Sequence, residues 1–153
     1  MGVLYTVVPL AEPIAAYLGK VGATVPQWST PSRNPTPQDI RQVCGTLTDL
    51  KVTVYSPPKH AWQVMIEGLE DPDNEPWTLL NVSDFNGDET SPHEIWFEKG
   101  WASLILRVVC GLSAACGPLV IVPDTGCKPI VVSADDDVAM LFATWEHTRE
   151  EDP

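Results

Sequence analysis

The fold of this chain is decided by residues 50–67, LKVTVYSPPKHAWQVMIE. Apolar and polar side chains alternate in 50–55 and again in 62–67, and a period of two is typical of strands with one buried face. The prolines at 57 and 58 supply turn chemistry between the two segments. Two alternating strands with a short connection predict an antiparallel pair that is covered on one face.

Further strands are predicted where short apolar segments are bounded by turn residues, and helices where apolar residues recur every three or four positions. The predicted strands are 3–9, 50–55, 62–67, 77–82, 94–98, 119–122 and 129–132, and the predicted helices are 13–21, 37–47, 101–116 and 135–149. Thr36, Pro37 and Asp39 mark the start of the second helix, and the S-x-x-D pattern from Ser133 to Asp136 marks the last.

These elements predict a single α+β domain over residues 1–153. It has a mostly antiparallel sheet of five to seven strands packed with about four helices, in one pair of layers. The composition, 44% hydrophobic and 20% charged, is that of a globular domain. No apolar run reaches the length of a membrane span, and the N-terminus lacks the basic and cleavable parts of a signal peptide, so we expect a cytoplasmic protein.

The cysteines do not form a recognisable chemical motif. Cys44, Cys110, Cys116 and Cys127 include no C-x-x-C pair, so a zinc site is not expected. The first three lie in or beside apolar helical stripes and are predicted to be structural. The stretch around Cys127, between Cys116 and Val132, is predicted to be a hairpin of two strands, and a nucleophilic Cys127 would need a base and a lowered pKa.

No histidine belongs to a recognisable catalytic signature, and the segment 84–89, DFNGDE, departs from the spacing of a calcium loop. We therefore expect no catalytic residue, no cofactor and no metal.

The charge of the chain is strongly uneven. The net charge is −12, but residues 1–59 carry five basic and three acidic side chains, whereas residues 60–153 carry four basic and eighteen acidic ones. Ten acids and no Lys or Arg lie between Lys59 and Lys99. Phosphate repels such a surface, which argues against a nucleic-acid partner, while a basic protein would be attracted and steered to it.

The predicted binding residues belong to the segment 67–98, where acids are interleaved with aromatic side chains. Acids in turns are favoured because turn tips are exposed, and an aromatic side chain beside them can anchor a partner. The predicted partner-binding residues are Asp71, Asp73, Glu75, Trp77, Asp84, Asp88 and Glu89. Trp77 follows an acidic turn directly and is predicted as the anchor, although core packing explains it equally well.

Two segments carry a resemblance to a known class of protein. PSRNPTPQDI (31–40) and IWFEKGWASLILRVVCGLSAACGPLVIVPDTGCKPIVV (95–132), followed by an acidic capped last helix, resemble small bacterial immunity proteins of the contact-dependent and polymorphic-toxin type. The resemblance implies a cytosolic inhibitor of one cognate toxin, often a nuclease, with no catalysis of its own. The alternatives are a non-catalytic binding module with another partner and a small enzyme that uses a cysteine or carboxylate.

Overall fold

The computed structural model describes residues 4–23, 25–27, 31–55, 60–68, 77–98, 102–124 and 128–145. Its strands are β1 (Leu4–Pro9), β2 (Leu50–Tyr55), β3 (His60–Gly68), β4 (Trp77–Phe85), β5 (Ile95–Glu98), β6 (Leu119–Pro123) and β7 (Ile130–Val132). Its helices are α1 (Glu12–Lys20), α2 (Pro37–Gly45), α3 (Ala102–Cys116) and α4 (Val138–Thr144).

All seven strands form one antiparallel sheet in the order β2-β3-β4-β5-β1-β6-β7. The four strands from β2 to β5 form a meander in chain order, and β2 pairs with β3 from Leu50 opposite Gly68 to Tyr55 opposite Gln63. β1 then lies between β5 and β6, so the first strand of the chain occupies an inner position. The prediction of an α+β fold with a mostly antiparallel sheet and about four helices is confirmed.

The main core lies on one face of this sheet. Trp62, Val64 and Ile66 of β3 are fully buried there, at every second position, as the alternation predicts. α3 packs on this face, with α2 and α4 beside it, and nine of its fifteen residues are buried. None of the described helices is both long enough and apolar enough to cross a membrane.

α1 lies on the opposite face of the sheet. Leu18 of α1 and Leu10 just before it form a second apolar cluster with Val120 of β6 and Val131 of β7. Val120 alternates with Leu119 and Ile121, which belong to the main core, so this cluster faces away from α3. The described helices therefore cover both faces at the β6–β7 end, but only one face over β2 to β5.

The helix starts follow from their capping residues. At the predicted start of α2, Thr36 and Asp39 form a capping box, in which each side chain accepts a hydrogen bond from the backbone N–H of the other at 3.0 Å. The last helix differs from the prediction of 135–149, because it begins at Val138 with Asp137 as its cap. The carboxylate of Asp136 accepts a hydrogen bond from the Ser133 N–H at 2.8 Å, and this bond closes a turn instead of starting the helix.

β4 runs three residues beyond its predicted end at 82 and contains a bulge in this extension. The pairing with β3 shifts between His60, opposite Phe85, and Trp62, opposite Val82, so the β4 strand has one extra residue. Asp84 in this bulge has a φ of 54°, a left-handed conformation that aspartate tolerates better than most residues. The bulge turns Phe85 into the main core.

The predicted hairpin between Cys116 and Val132 is present as β6 and β7, which pair antiparallel over three residues. Asp124, at the end of β6, holds the start of β1: its N–H donates to the Leu4 carbonyl at 3.0 Å, and its Oδ1 accepts from the Leu4 N–H at 3.1 Å. Cys127 lies outside the described residues.

Candidate partner-binding surface

The seven predicted binding residues do not form one compact cluster. Asp71, Asp73 and Glu75 lie outside the described residues. Trp77 stands at the first position of β4, whereas Asp84, Asp88 and Glu89 lie at or beyond its other end. Asp84 lies seven positions after Trp77 along the strand, a distance of about 23 Å at roughly 3.3 Å per residue. A partner that contacted all four described residues would have to span the length of the strand.

Glu89 is already paired within the chain. Both of its carboxylate oxygens accept hydrogen bonds from Arg41 of α2, at 2.5 Å and 3.0 Å. The same guanidinium lies over the ring of Trp62, 5.4 Å from its centroid. The hydrogen bond from Arg41 lowers the pKa of Glu89, so this carboxylate is ionised and neutralised by an arginine of the same chain. Its charge contributes little to the attraction of a basic partner.

Asp84 and Asp88 are exposed at the far end of β4. Asp88 organises the turn that follows: its carboxylate accepts hydrogen bonds from the backbone N–H and the hydroxyl of Thr90, and from the hydroxyl of Ser91. The hydrogen bonds to Thr90 are the main reason why the pKa of Asp88 lies below its ordinary value. Both carboxylates lie at the rim of the sheet.

Trp77 lies on the face of the sheet that α3 does not cover. Its neighbours in β4 show this, because Thr78, Leu80 and Val82 are buried on the α3 side, and alternation puts Trp77 on the other. Trp77 is partly exposed, as are Leu79 and Ser83 on the same face of β4. The choice between core and surface is thus resolved for Trp77: it is not part of the main core cluster.

We call this side of β1 to β5 the open face. The strand register arranges its side chains in rows that run across the sheet. The first row contains Lys51, Glu67 and Trp77; the second contains Thr53, Met65, Leu79, Glu98 and Leu4; the third contains Tyr55, Gln63, Asn81, Trp96 and Thr6. Asn81 is the only buried member, and its Oδ1 accepts a hydrogen bond from the Gln63 amide at 2.7 Å.

Large apolar side chains are partly or largely exposed on the open face. Tyr55 on β2 is 50% exposed and Leu4 on β1 is 40% exposed. Trp77, Met65 and Trp96 lie between them and are partly exposed. Aromatic side chains with one accessible side are typical of the centres of protein interfaces, because they bury a large area with little loss of side-chain freedom.

The arginines of the described chain form internal ion pairs and therefore do not neutralise its other acids. Arg33 pairs with Asp39, Arg41 with Glu89 and Arg107 with Asp49. These pairs link α2 and α3 to the loops around them. Among the described residues, no ion pair involves the open-face carboxylates Glu67 and Glu98.

Sequence reasoning named Trp77 on the open face but not its other members. The sequence prediction leaves out Glu67 and Glu98 because it favours acids in turns over acids in strands, and its search for acids and aromatic side chains does not select Leu79 or Leu4. The alternation in 62–67 and 94–98 could have placed Glu67 and Glu98 opposite the core. Only the strand order could show that Leu4 lies beside Glu98.

The described thiols are poorly suited to nucleophilic catalysis. Burial raises the pKa of Cys44 and of Cys116 to about 11, and burial also raises the pKa of Cys110. A catalytic thiol needs the opposite shift, towards neutral pH. Within the described ranges, no three His, Cys, Asp or Glu side chains are grouped closely enough to hold a metal ion.

A cavity of about 480 Å³ lies away from the open face, between the C-terminal end of α1, β7 and α4. Lys128 and Asp136 contribute its charged groups, and Trp145 forms part of its wall. The indole N–H of Trp145 donates to the Lys128 carbonyl at 3.2 Å, so this polar group already has a partner. Its described lining residues have mixed polarity and include the acid Asp136, but no thiol or histidine among them accompanies this acid as a hydrolytic site would require.

Comparison with known proteins yields no relatives: no family model, no curated protein and no solved structure matches the chain significantly.

Proposed function

We propose that the chain is an immunity protein that binds and neutralises a cognate, basic toxin domain such as a nuclease through an acidic surface. The observation that carries the proposal is the open face, where partly exposed aromatic side chains lie beside Glu67 and Glu98, and neither carboxylate forms an ion pair among the described residues. The resemblance of the segments 31–40 and 95–132 to immunity proteins points to the same function.

The physical argument combines affinity with rate. Aromatic side chains in the centre of an interface provide most of the binding energy, while surrounding charges of the opposite sign accelerate association and exclude other partners. A nuclease must be basic around its substrate site in order to bind phosphate. An acidic protein that covers such a site competes with the nucleic acid and needs no chemistry of its own.

The test is to co-express the chain with the toxin domain encoded beside its gene and to measure cell survival. We expect survival with the cognate toxin and death with an unrelated toxin of similar charge, which serves as the control for non-specific attraction. Absence of a toxin gene at this locus, or death at equal expression of the two proteins, would overturn the proposal. A binding module with another cationic partner would also fail to protect.

A further inference from the structure

Glu98 occupies a central position on the open face. In the register, its neighbours across the strands are Leu79 on β4 and Leu4 on β1, and both are apolar. Glu67 differs, because Lys51 lies directly opposite it on β2. Among the described residues, Glu98 has no cation on a directly paired position. Glu98 is partly exposed, so its carboxylate can be reached by a cationic ligand that also contacts these apolar neighbours.

Two tryptophans flank the same carboxylate. Trp96 lies two residues before Glu98 on β5, and therefore on the same face. Trp77 lies two residues before Leu79, the paired neighbour of Glu98, which makes it a diagonal neighbour. Diagonal neighbours in a sheet are about 7–8 Å apart at their backbones, within reach of large aromatic side chains. The register of β4 and β5 therefore places the Glu98 carboxylate between the partly exposed indoles of Trp77 and Trp96.

This combination matches one type of side chain. A guanidinium group donates two parallel hydrogen bonds to a carboxylate and stacks its flat face on an indole, whereas a lysine ammonium group offers only a hydrated point charge. Attraction between a cation and an aromatic face is strongest for tryptophan. Arginine and tryptophan are also the residues that dominate the binding energy of protein interfaces.

We infer that Glu98, Trp77 and Trp96 form an acceptor site for an arginine side chain of a protein partner. The inference rests on the proposed function for the identity of that partner, the basic toxin domain. The surrounding open face, with Leu79, Leu4 and Met65, then buries the apolar part of the arginine and the residues beside it. Asp84 and Asp88 at the rim guide the partner without contacting the arginine.

The test uses a tetra-arginine peptide as the probe and a tetra-lysine peptide as its matched control, so it does not require the toxin. The ¹⁵N-labelled chain is titrated with each peptide, and the indole N–H signals are assigned with the variants Trp77→Phe and Trp96→Phe. We expect the largest shifts at these two indoles and at the amides of β4 and β5, with tighter binding of the arginine peptide.

Two variants separate the site from general attraction to an acidic protein. Glu98→Gln should weaken binding of tetra-arginine about fivefold, the effect of a partly exposed charge pair. Asp135→Asn removes the same charge from an exposed position before α4 and should leave the affinity unchanged. Equal effects of the two variants, or shifts centred on residues 135–137, would overturn the inference. The amide spectrum of each variant reports whether its fold is intact, and the wild-type titration locates the site without any variant.

The two proposals fail in different ways. If the wild-type chain protects cells and Glu98→Lys protects equally well, the proposed function stands and the arginine site is wrong. If the peptide binds at Glu98 and the chain does not protect, the arginine site stands and the toxin assignment is wrong.

Discussion

The pair formed by Arg41 and Glu89 gives the most detailed prediction of stability. The pair has two hydrogen bonds, but the two side chains are 44% and 34% exposed, so the interaction between the charges is worth only about 0.5–1 kcal/mol. Arg41 also covers the ring of Trp62, which adds about 0.5–1 kcal/mol. We therefore expect Arg41→Ala to lower the free energy of unfolding by about 1–2 kcal/mol and Glu89→Ala by about half of that.

The double variant provides the decisive comparison. Once Arg41 is absent, the loss of Glu89 should cost almost nothing, so the double variant should be as stable as Arg41→Ala alone. The assay is urea denaturation followed by tryptophan fluorescence, with the midpoint and slope determined for all four proteins. Additive losses in the double variant would show that the two side chains do not interact, and would refute the assignment of Glu89 to an internal pair.

The pH dependence of the same pair follows from the lowered pKa of Glu89. A carboxylate with a lower pKa in the folded state stabilises the protein above its unfolded pKa, about 4.3, and this contribution is lost as the pH falls through the folded pKa. The wild-type chain should thus be more stable than Glu89→Gln at pH 7, and the difference should shrink in acid. A difference that stays constant down to about pH 3 would contradict the ionic nature of the pair.

Two further predictions concern the core. Gly111→Ala should destabilise the chain by about 1 kcal/mol, because the new Cβ would lie 2.7 Å from Val43 Cγ1, and packing strain of about 1–3 kcal/mol exceeds the helix-propensity gain of about 1 kcal/mol. In Gly19→Ala of α1 the new Cβ meets no atom within 4 Å, so this variant should instead stabilise the chain. Thermal unfolding compares the two variants. A higher stability of Gly111→Ala than of Gly19→Ala would contradict the close approach of α2 and α3. Cys44 and Cys116, with pKa values of about 11, should resist iodoacetamide at pH 7.5 in the folded chain and react after denaturation. Mass spectrometry locates the labelled thiols. Rapid labelling of either thiol in the native state would contradict its burial.

Much of the fold follows from local patterns in the sequence. The alternation of Val52 and Val54 with Lys51 and Thr53 predicts β2 with its observed bounds, and the Thr36 capping signal predicts the start of α2. The patterns failed where a side chain changes the backbone locally. β4 continues beyond its predicted end through a bulge in which Asp84 takes a left-handed conformation, and no residue pattern predicts that bulge.

The candidate surface depended on contacts between distant parts of the chain, which local patterns do not report. Glu89 looked available in the sequence because its partner, Arg41, lies 48 positions earlier. Leu4 and Glu98 become neighbours only because β1 enters the sheet beside β5. The apolar stripe of α1, with Leu18, shows that one side of this helix is buried but not which face of the sheet receives it.

The open face is best tested by the rate at which the chain associates with the proposed partner, a basic toxin domain. Stopped-flow fluorescence would compare the wild-type chain, Glu98→Lys and the control Asp135→Lys at low and high salt. We predict that Glu98→Lys associates several-fold more slowly than the wild-type chain at low salt and dissociates faster. The difference in association rate should shrink as salt screens the charges. Asp135→Lys should have rates close to those of the wild-type chain. Equal rates for Glu98→Lys and the wild-type chain at both salt concentrations would contradict the assignment of the open face as the binding surface.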